Sequence, residues 1–275
     1  MNEKVLQIDV EKVLRDKAPA MARKIPRFAI YLFKKLIHQE GINTFLRARG
    51  HLKGVEFATA MVDYWKVKVI VEGLDNLPKD RPFVFASNHP LGGLDGVALT
   101  SIVGEKYKHN VKFVVNDILM NITNFDTVFI PVNKHGGQAK EAADIMNEVY
   151  ASTAQVMFFP AGLVSRWQNG RIEDLEWKKS FIAKSVQYQR DVVPVFFDGK
   201  NSRFFYGFAY LRKLLGIKIN LEMLLLPHEL FKQFGKTFTI RFGKPIPWQT
   251  FDKSLSPRDW AAFVKHEAYL LDKKK

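Results

Sequence analysis

Short apolar runs recur along the chain from residue 67 onward: VKVIVEG (67–73), PFVFASNHP (82–90), VKFVV (111–115), TVFIPV (127–132), QVMFFPAG (155–162), DVVPVFF (191–197) and KTFTIRFG (236–243). Runs of this length, rich in Val, Ile and Phe and bounded by Pro, Gly or Asn, read as strands. Longer stretches at about 95–106, 137–152, 176–190 and 257–272 alternate with them as helix candidates. That alternation predicts an α/β fold, a mixed β-sheet flanked by helices.

Two segments depart from this texture. Upstream, Ile25, Phe28, Ala29, Leu32, Phe33, Leu36 and Ile37 recur at three-and-four spacing, with Pro26 acceptable in a first helical turn. Residues 17–53 carry nine Lys or Arg against the single acid Glu40, so the predicted helix is basic as well as amphipathic. Its apolar stripe can pack on its own domain or lie in a lipid interface. The second segment, Lys200 to Leu226, places Phe204, Phe205, Phe208, Leu211, Leu214 and Leu215 among Arg203, Arg212, Lys213 and Lys218. Two such segments favour a membrane surface, because each combines apolar insertion with attraction to anionic headgroups. Arg27, Phe28, Leu32, Phe33, Lys34, Phe204, Phe208, Arg212 and Lys213 are the expected lipid contacts. The chain divides into an N-terminal basic helical segment, 1–64, and a domain spanning 65–275.

Charge and composition narrow the partners. The 275 residues hold 42 basic and 28 acidic side chains, a net +14, which points to an anionic partner or surface. Interleaved aliphatic stripes suit acyl chains better than bases, so nucleic acid is not expected. With no cysteine there is no thiol nucleophile and no Cys-based metal site. The N-terminal text lacks a signal-peptide core, and no 18-residue uncharged apolar run occurs, so the expected membrane association is peripheral. Phosphate-loop, zinc-peptidase and Gly-x-Ser-x-Gly hydrolase motifs are absent.

Candidate chemistry gathers at two predicted strand ends. Residues 87–96 read Ser-Asn-His-Pro-Leu-Gly-Gly-Leu-Asp-Gly, so His89 follows an apolar run and precedes a Gly turn that lets Asp95 fold back toward it. A carboxylate on one imidazole nitrogen fixes the tautomer and frees the other as a general base. The same text also reads as a structural histidine beside a helix N-cap at Asp95. At the second strand end, Phe158-Phe-Pro-Ala-Gly-Leu-Val-Ser-Arg166 presents Ser165 and Arg166. Asn116 and Asp117, after another strand, line the cleft or form a turn; Trp167 and Trp177 read as packing or interface residues.

The three ordered motifs NHPLGGLDG (88–96), FFPAGLVSR (158–166) and VVPVFFDG (192–199) resemble the lysophosphatidate-acyltransferase superfamily of glycerolipid acyltransferases. The likeness covers about residues 65–246 and is greatest to a bacterial branch labelled hemolysin or acyltransferase, which includes O-acyltransferases of ornithine and glycine lipids. The resemblance implies a glycerol-3-phosphate acyltransferase-like fold. It also implies transfer of a fatty acyl group from acyl-CoA or acyl-ACP to a lysolipid hydroxyl at the cytoplasmic face of the inner membrane, with no cofactor and no metal. It assigns His89 as the base and Asp95 as its orienting partner, although five residues separate them here against the superfamily's usual four. Asn88, Lys134, Gly162, Ser165 and Arg166 are the implied substrate-binding set, and backbone N–H groups near Gly162 the implied oxyanion donors. Ala161 and Val164 replace the superfamily's Glu and first Arg, which leaves room for a lyso-aminolipid whose carboxylate meets Arg166 and Lys134. The competing reading is a non-enzymatic binder of anionic membrane or nucleic acid.

Overall fold

The computed structural model of the protein describes residues 7–17, 19–132, 138–168 and 170–273. The strands are β1 (Lys68–Glu72), β2 (Val84–Ser87), β3 (Val111–Val115), β4 (Phe129–Pro131), β5 (Gln155–Phe158), β6 (Arg166–Gln168), β7 (Arg171–Glu173), β8 (Val192–Asp198) and β9 (Thr237–Phe242). Seven of them form one sheet in the order β1-β9-β8-β2-β5-β3-β4. All neighbours run parallel except β8 against β9, so the sheet is mixed as expected. The central strand β2 is buried at every position, and its text is apolar up to Ser87.

Helices cover both faces. They are α1 (Val10–Lys17), α2 (Pro19–Ala22), α3 (Arg27–Leu36), α4 (Gln39–Arg49), α5 (Gly54–Tyr64), α6 (Leu94–Lys106), α7 (Gln138–Ala151), α8 (Ser180–Tyr188), α9 (Arg203–Leu214), α10 (Leu226–Phe231) and α11 (Pro257–Leu270). Alternation along β2 sorts the layers: Phe85 joins Phe45, Phe57, Leu94 and Leu99 on one face, while Val84 and Ala86 join Phe181, Trp260 and Val264 on the other. Helices α4 and α5, upstream of residue 64, therefore share the first layer's core with the sheet.

Helix α3 differs from α4 and α5 in that no residue within it is buried. Phe28 is 68% exposed and Leu32 57% exposed, whereas the stripe's far end, Leu36 and Ile37, packs inward. The basic aromatic segment after Lys200 contains α9, started by Ser202, whose hydroxyl accepts the Phe205 N–H. Phe205 and Tyr206 bury one side of α9 in a small cluster with Val164 and Leu225, against which Leu36 also packs. That cluster brings α3 and α9 to one side of the molecule, and Leu214 of α9 is 71% exposed there.

Candidate functional site

Because β2, β5 and β8 run parallel, their carboxyl ends meet at one edge of the sheet, and the two motif-bearing loops leave from it. Asn88 continues β2 and is buried. Its side chain donates to the Phe197 carbonyl at 3.0 Å and accepts the Phe197 N–H at 2.6 Å, so it stitches β2 to β8. It is a structural clamp, and both ends of its amide are occupied by backbone instead of the substrate expected for it.

The loop then turns through Gly92, at φ 82°, into α6. Asp95, in the first turn of α6, is wholly buried. Its carboxylate accepts N–H groups of Leu91 at 2.8 Å, Gly93 at 3.0 Å and Gly96 at 3.0 Å, and stands 2.9 Å from His89 Nδ1. The longer spacing between the two residues is thus absorbed by the Gly-Gly turn. Burial alone would raise the Asp95 carboxyl. The His89 charge, its hydrogen bond and the backbone N–H groups outweigh that and hold it below the usual aspartate value. An ionised carboxylate only accepts, so Nδ1 donates to it, and in the neutral ring Nε2 is the nitrogen with the lone pair.

Phe159 stacks on the imidazole at 3.9 Å between centroids, and the His89 side chain is 16% exposed. Among the described residues, no hydrogen bond engages Nε2. A base held by a buried acid and braced on one face, with its second nitrogen open, is an arrangement suited to removing a proton from a hydroxyl.

Gly92 has little room for a side chain. A Cβ there would stand 2.7 Å from Val164 Cγ2 and 2.8 Å from Leu226, in a left-handed backbone that L residues avoid. Gly92→Ala is expected to cost about 1–3 kcal/mol, read as a lower thermal midpoint.

The second loop supports the first. The Ser165 N–H donates to the His89 carbonyl at 2.8 Å, and its hydroxyl donates to Asp174 Oδ1 at 2.6 Å. Ser165 is buried and faces the frame of the site, not a ligand. Gly162 N–H donates to the Phe159 carbonyl at 3.0 Å, which removes it as an oxyanion donor. Arg166 reaches buried Glu222 at 2.9 Å, and Arg212 reaches the same carboxylate at 2.6 Å. Neither guanidinium is left for a headgroup or for lipid, because the buried acid requires both cations. Lys34 likewise contacts Glu11 at 2.5 Å, and Phe208 and Phe33 are half-buried. Arg27, Phe28, Leu32, Phe204 and Lys213 remain at the surface. Lys134 and Asn133 lie outside the described residues.

Asp174 escaped the sequence reading. It is wholly buried; Oδ1 accepts the His89 backbone N–H at 3.2 Å and the Ser165 hydroxyl, while Oδ2 accepts Trp177 Nε1–H at 2.9 Å. Burial pushes its carboxyl up, and the three donors offset part of that rise. Its carbonyl accepts Lys265 Nζ at 2.6 Å, and its N–H donates to the Tyr269 hydroxyl at 2.7 Å, both from α11. An acid in the text RIEDLEW gives no signal of burial.

Residues 12–275 match the profile of a family described as Acyltransferase. A lyso-glycine lipid O-acyltransferase of Bacteroides thetaiotaomicron is 50% identical over 270 residues, covering 98% of this chain and 99% of that one. A protein of the same name from Phocaeicola vulgatus is 47% identical over 270 residues, covering 98% of this chain and 97% of its own. Among solved structures, the 1-acyl-sn-glycerophosphate acyltransferase PlsC from Thermotoga maritima superposes with a TM-score of 0.46 at 17% identity, over 94% of this chain and 85% of that one.

Proposed function

This chain belongs to the acyltransferase family, and from that premise we propose that it esterifies the hydroxyl of a lyso-glycine lipid with a fatty acyl group taken from an acyl thioester. Membership sets aside the reading as a non-enzymatic binder. The acceptor class is supported by the names of the two relatives, each matched over nearly its whole length. The observation that carries the chemistry is the His89–Asp95 contact with Nε2 open at the sheet's carboxyl edge.

In this reading His89 Nε2 takes the acceptor's hydroxyl proton as that oxygen attacks the thioester carbonyl. The tetrahedral adduct collapses, the C–S bond breaks, and the imidazolium returns the proton to the departing thiolate. Asp95 stabilises the imidazolium formed midway, and its buried carboxylate is already in place before the charge appears. The thioester is itself activated, so the enzyme's contribution is positioning, proton transfer and charge stabilisation. The test is direct: purified protein is supplied with lyso-glycine lipid and either acyl-CoA or acyl carrier protein, and products are read by mass spectrometry. A diacylated glycine lipid appearing only with a thioester supports the proposal; a lysolipid returned unchanged with both donors defeats it.

The acceptor is itself a surface component, so the site must meet a bilayer. Among the described residues no helix is long and apolar enough to cross one. We propose that α3 and α9, gathered on one side by the Val164 cluster, rest on anionic lipid through Phe28, Leu32, Phe204 and Leu214 with Arg27 and Lys213 beside them. Phe28→Glu with Leu32→Glu is expected to lower the fraction bound to anionic vesicles by about tenfold or more, as measured by co-sedimentation. Binding equal to the wild type would remove α3 from the interface.

A further inference from the structure

The two loops that meet at His89 come from strands far apart in sequence, and one side chain joins them. Asp174 Oδ1 accepts from the His89 main chain and from Ser165, and Ser165 itself donates its N–H to the His89 carbonyl. Both main-chain polar groups of His89 are therefore held by the same Ser165–Asp174 unit. Asp95, by contrast, holds the ring of His89 and the turn beyond it, not the His89 main chain. No cation pairs with the Asp174 carboxylate among the described residues; neutral donors surround it. A buried acid serving neutral donors costs stability compared with an apolar residue of like size, which is unexpected for packing alone.

We infer that Asp174 is a positioning residue for the acyl transfer, fixing the backbone of His89 so that Nε2 is aimed at the acceptor hydroxyl. This rests on the reading of His89 as the base. Asp95 fixes the ring and the turn that follows it but makes no bond to the His89 main chain, and a displacement of about 1 Å at a reacting group can cost about 10²-fold in rate. The Ser165–Asp174 unit supplies that main-chain restraint. Trp177 Nε1–H occupies the other carboxylate oxygen, so the carboxylate plane is set as well.

Asp174→Asn tests this because an amide offers one accepting oxygen where two are needed. Either the His89 and Ser165 donors or the Trp177 donor must then face an NH2 group. The expected result is a fall in kcat of about 10²-fold with KM for both lysolipid and thioester within about twofold of wild type. Ser165→Ala, which removes one donor and no charge, is expected to lower kcat about tenfold with the same KM pattern; it decides the matter if Asp174→Asn fails to fold. A lowered melting temperature with wild-type kcat per folded molecule would make Asp174 merely structural and overturn the inference. A raised KM at unchanged kcat would overturn it too, by assigning the residue to binding. His89→Ala, assayed in parallel, separates the two levels. If it keeps wild-type turnover the base assignment fails, whereas its inactivity alongside a fully active Asp174→Asn defeats only the positioning role.

Discussion

His89→Ala is expected to lower turnover by about 10²–10⁴-fold, the usual contribution of a positioned general base, while the protein stays folded. The asymmetry follows from the geometry. The imidazole gives one hydrogen bond to Asp95 and one stacking contact to Phe159, whereas Asp95 keeps its Leu91, Gly93 and Gly96 donors when the ring is removed. The turn is thus fixed by the acid, and the proposed chemistry by the imidazole. Lipid mass spectrometry of cells expressing wild type or His89→Ala at matched levels reads the result. Loss of one diacylated class with accumulation of its mono-acylated precursor establishes transfer and names the acceptor; an unchanged lipidome in a host lacking other such enzymes would sink the mechanism.

The largest expected effect on stability lies elsewhere, at Glu222. This wholly buried acid, in the turn between α9 and α10, meets Arg212 of α9 at 2.6 Å and Arg166 of β6 at 2.9 Å. Glu222→Gln leaves two guanidinium groups facing each other with their shared anion gone. Removing one partner of a buried pair typically costs about 3–5 kcal/mol, and the slight solvent access of both arginines places this case near the lower figure. At about 2–4 °C per kcal/mol for a chain of this size, the midpoint should fall by about 6–12 °C. The α9 side should loosen first, because Leu225 and Phe205 depend on that turn for their burial. A midpoint within about 2 °C of wild type would show that the three charges are solvated and carry little.

Much of the sheet was legible because central strands buried on both faces are mostly apolar, so VFAS and VVPVFFD announce themselves. The β6–β7 hairpin was not, since three-residue strands carry no period. Nor was α9 as a helix: RFFYGFAYLRKL mixes aromatics and a glycine, and its helical state depends on tertiary burial of Phe205, Tyr206 and Ala209. In the site, His89 and Asp95 were readable because they lie only six positions apart, with five residues between them. Asp174 lies 85 positions from His89, and Glu222 lies 56 from Arg166. Those partners are created by folding. For the same reason Arg166, Arg212 and Asn88, which look available in the sequence, turn out to be occupied.

The order in which the chain is made gives the α11 contacts to Asp174 a further meaning. Synthesis at about 5–20 residues per second delivers Tyr269 roughly 9–36 s after His89, so a nascent chain holds the His89–Asp95 text long before Lys265 and Tyr269 can brace the loop beside it. During that interval the chain carries the proposed base without its frame. Under the proposed mechanism an unfinished or C-terminally clipped chain is thereby expected to be idle.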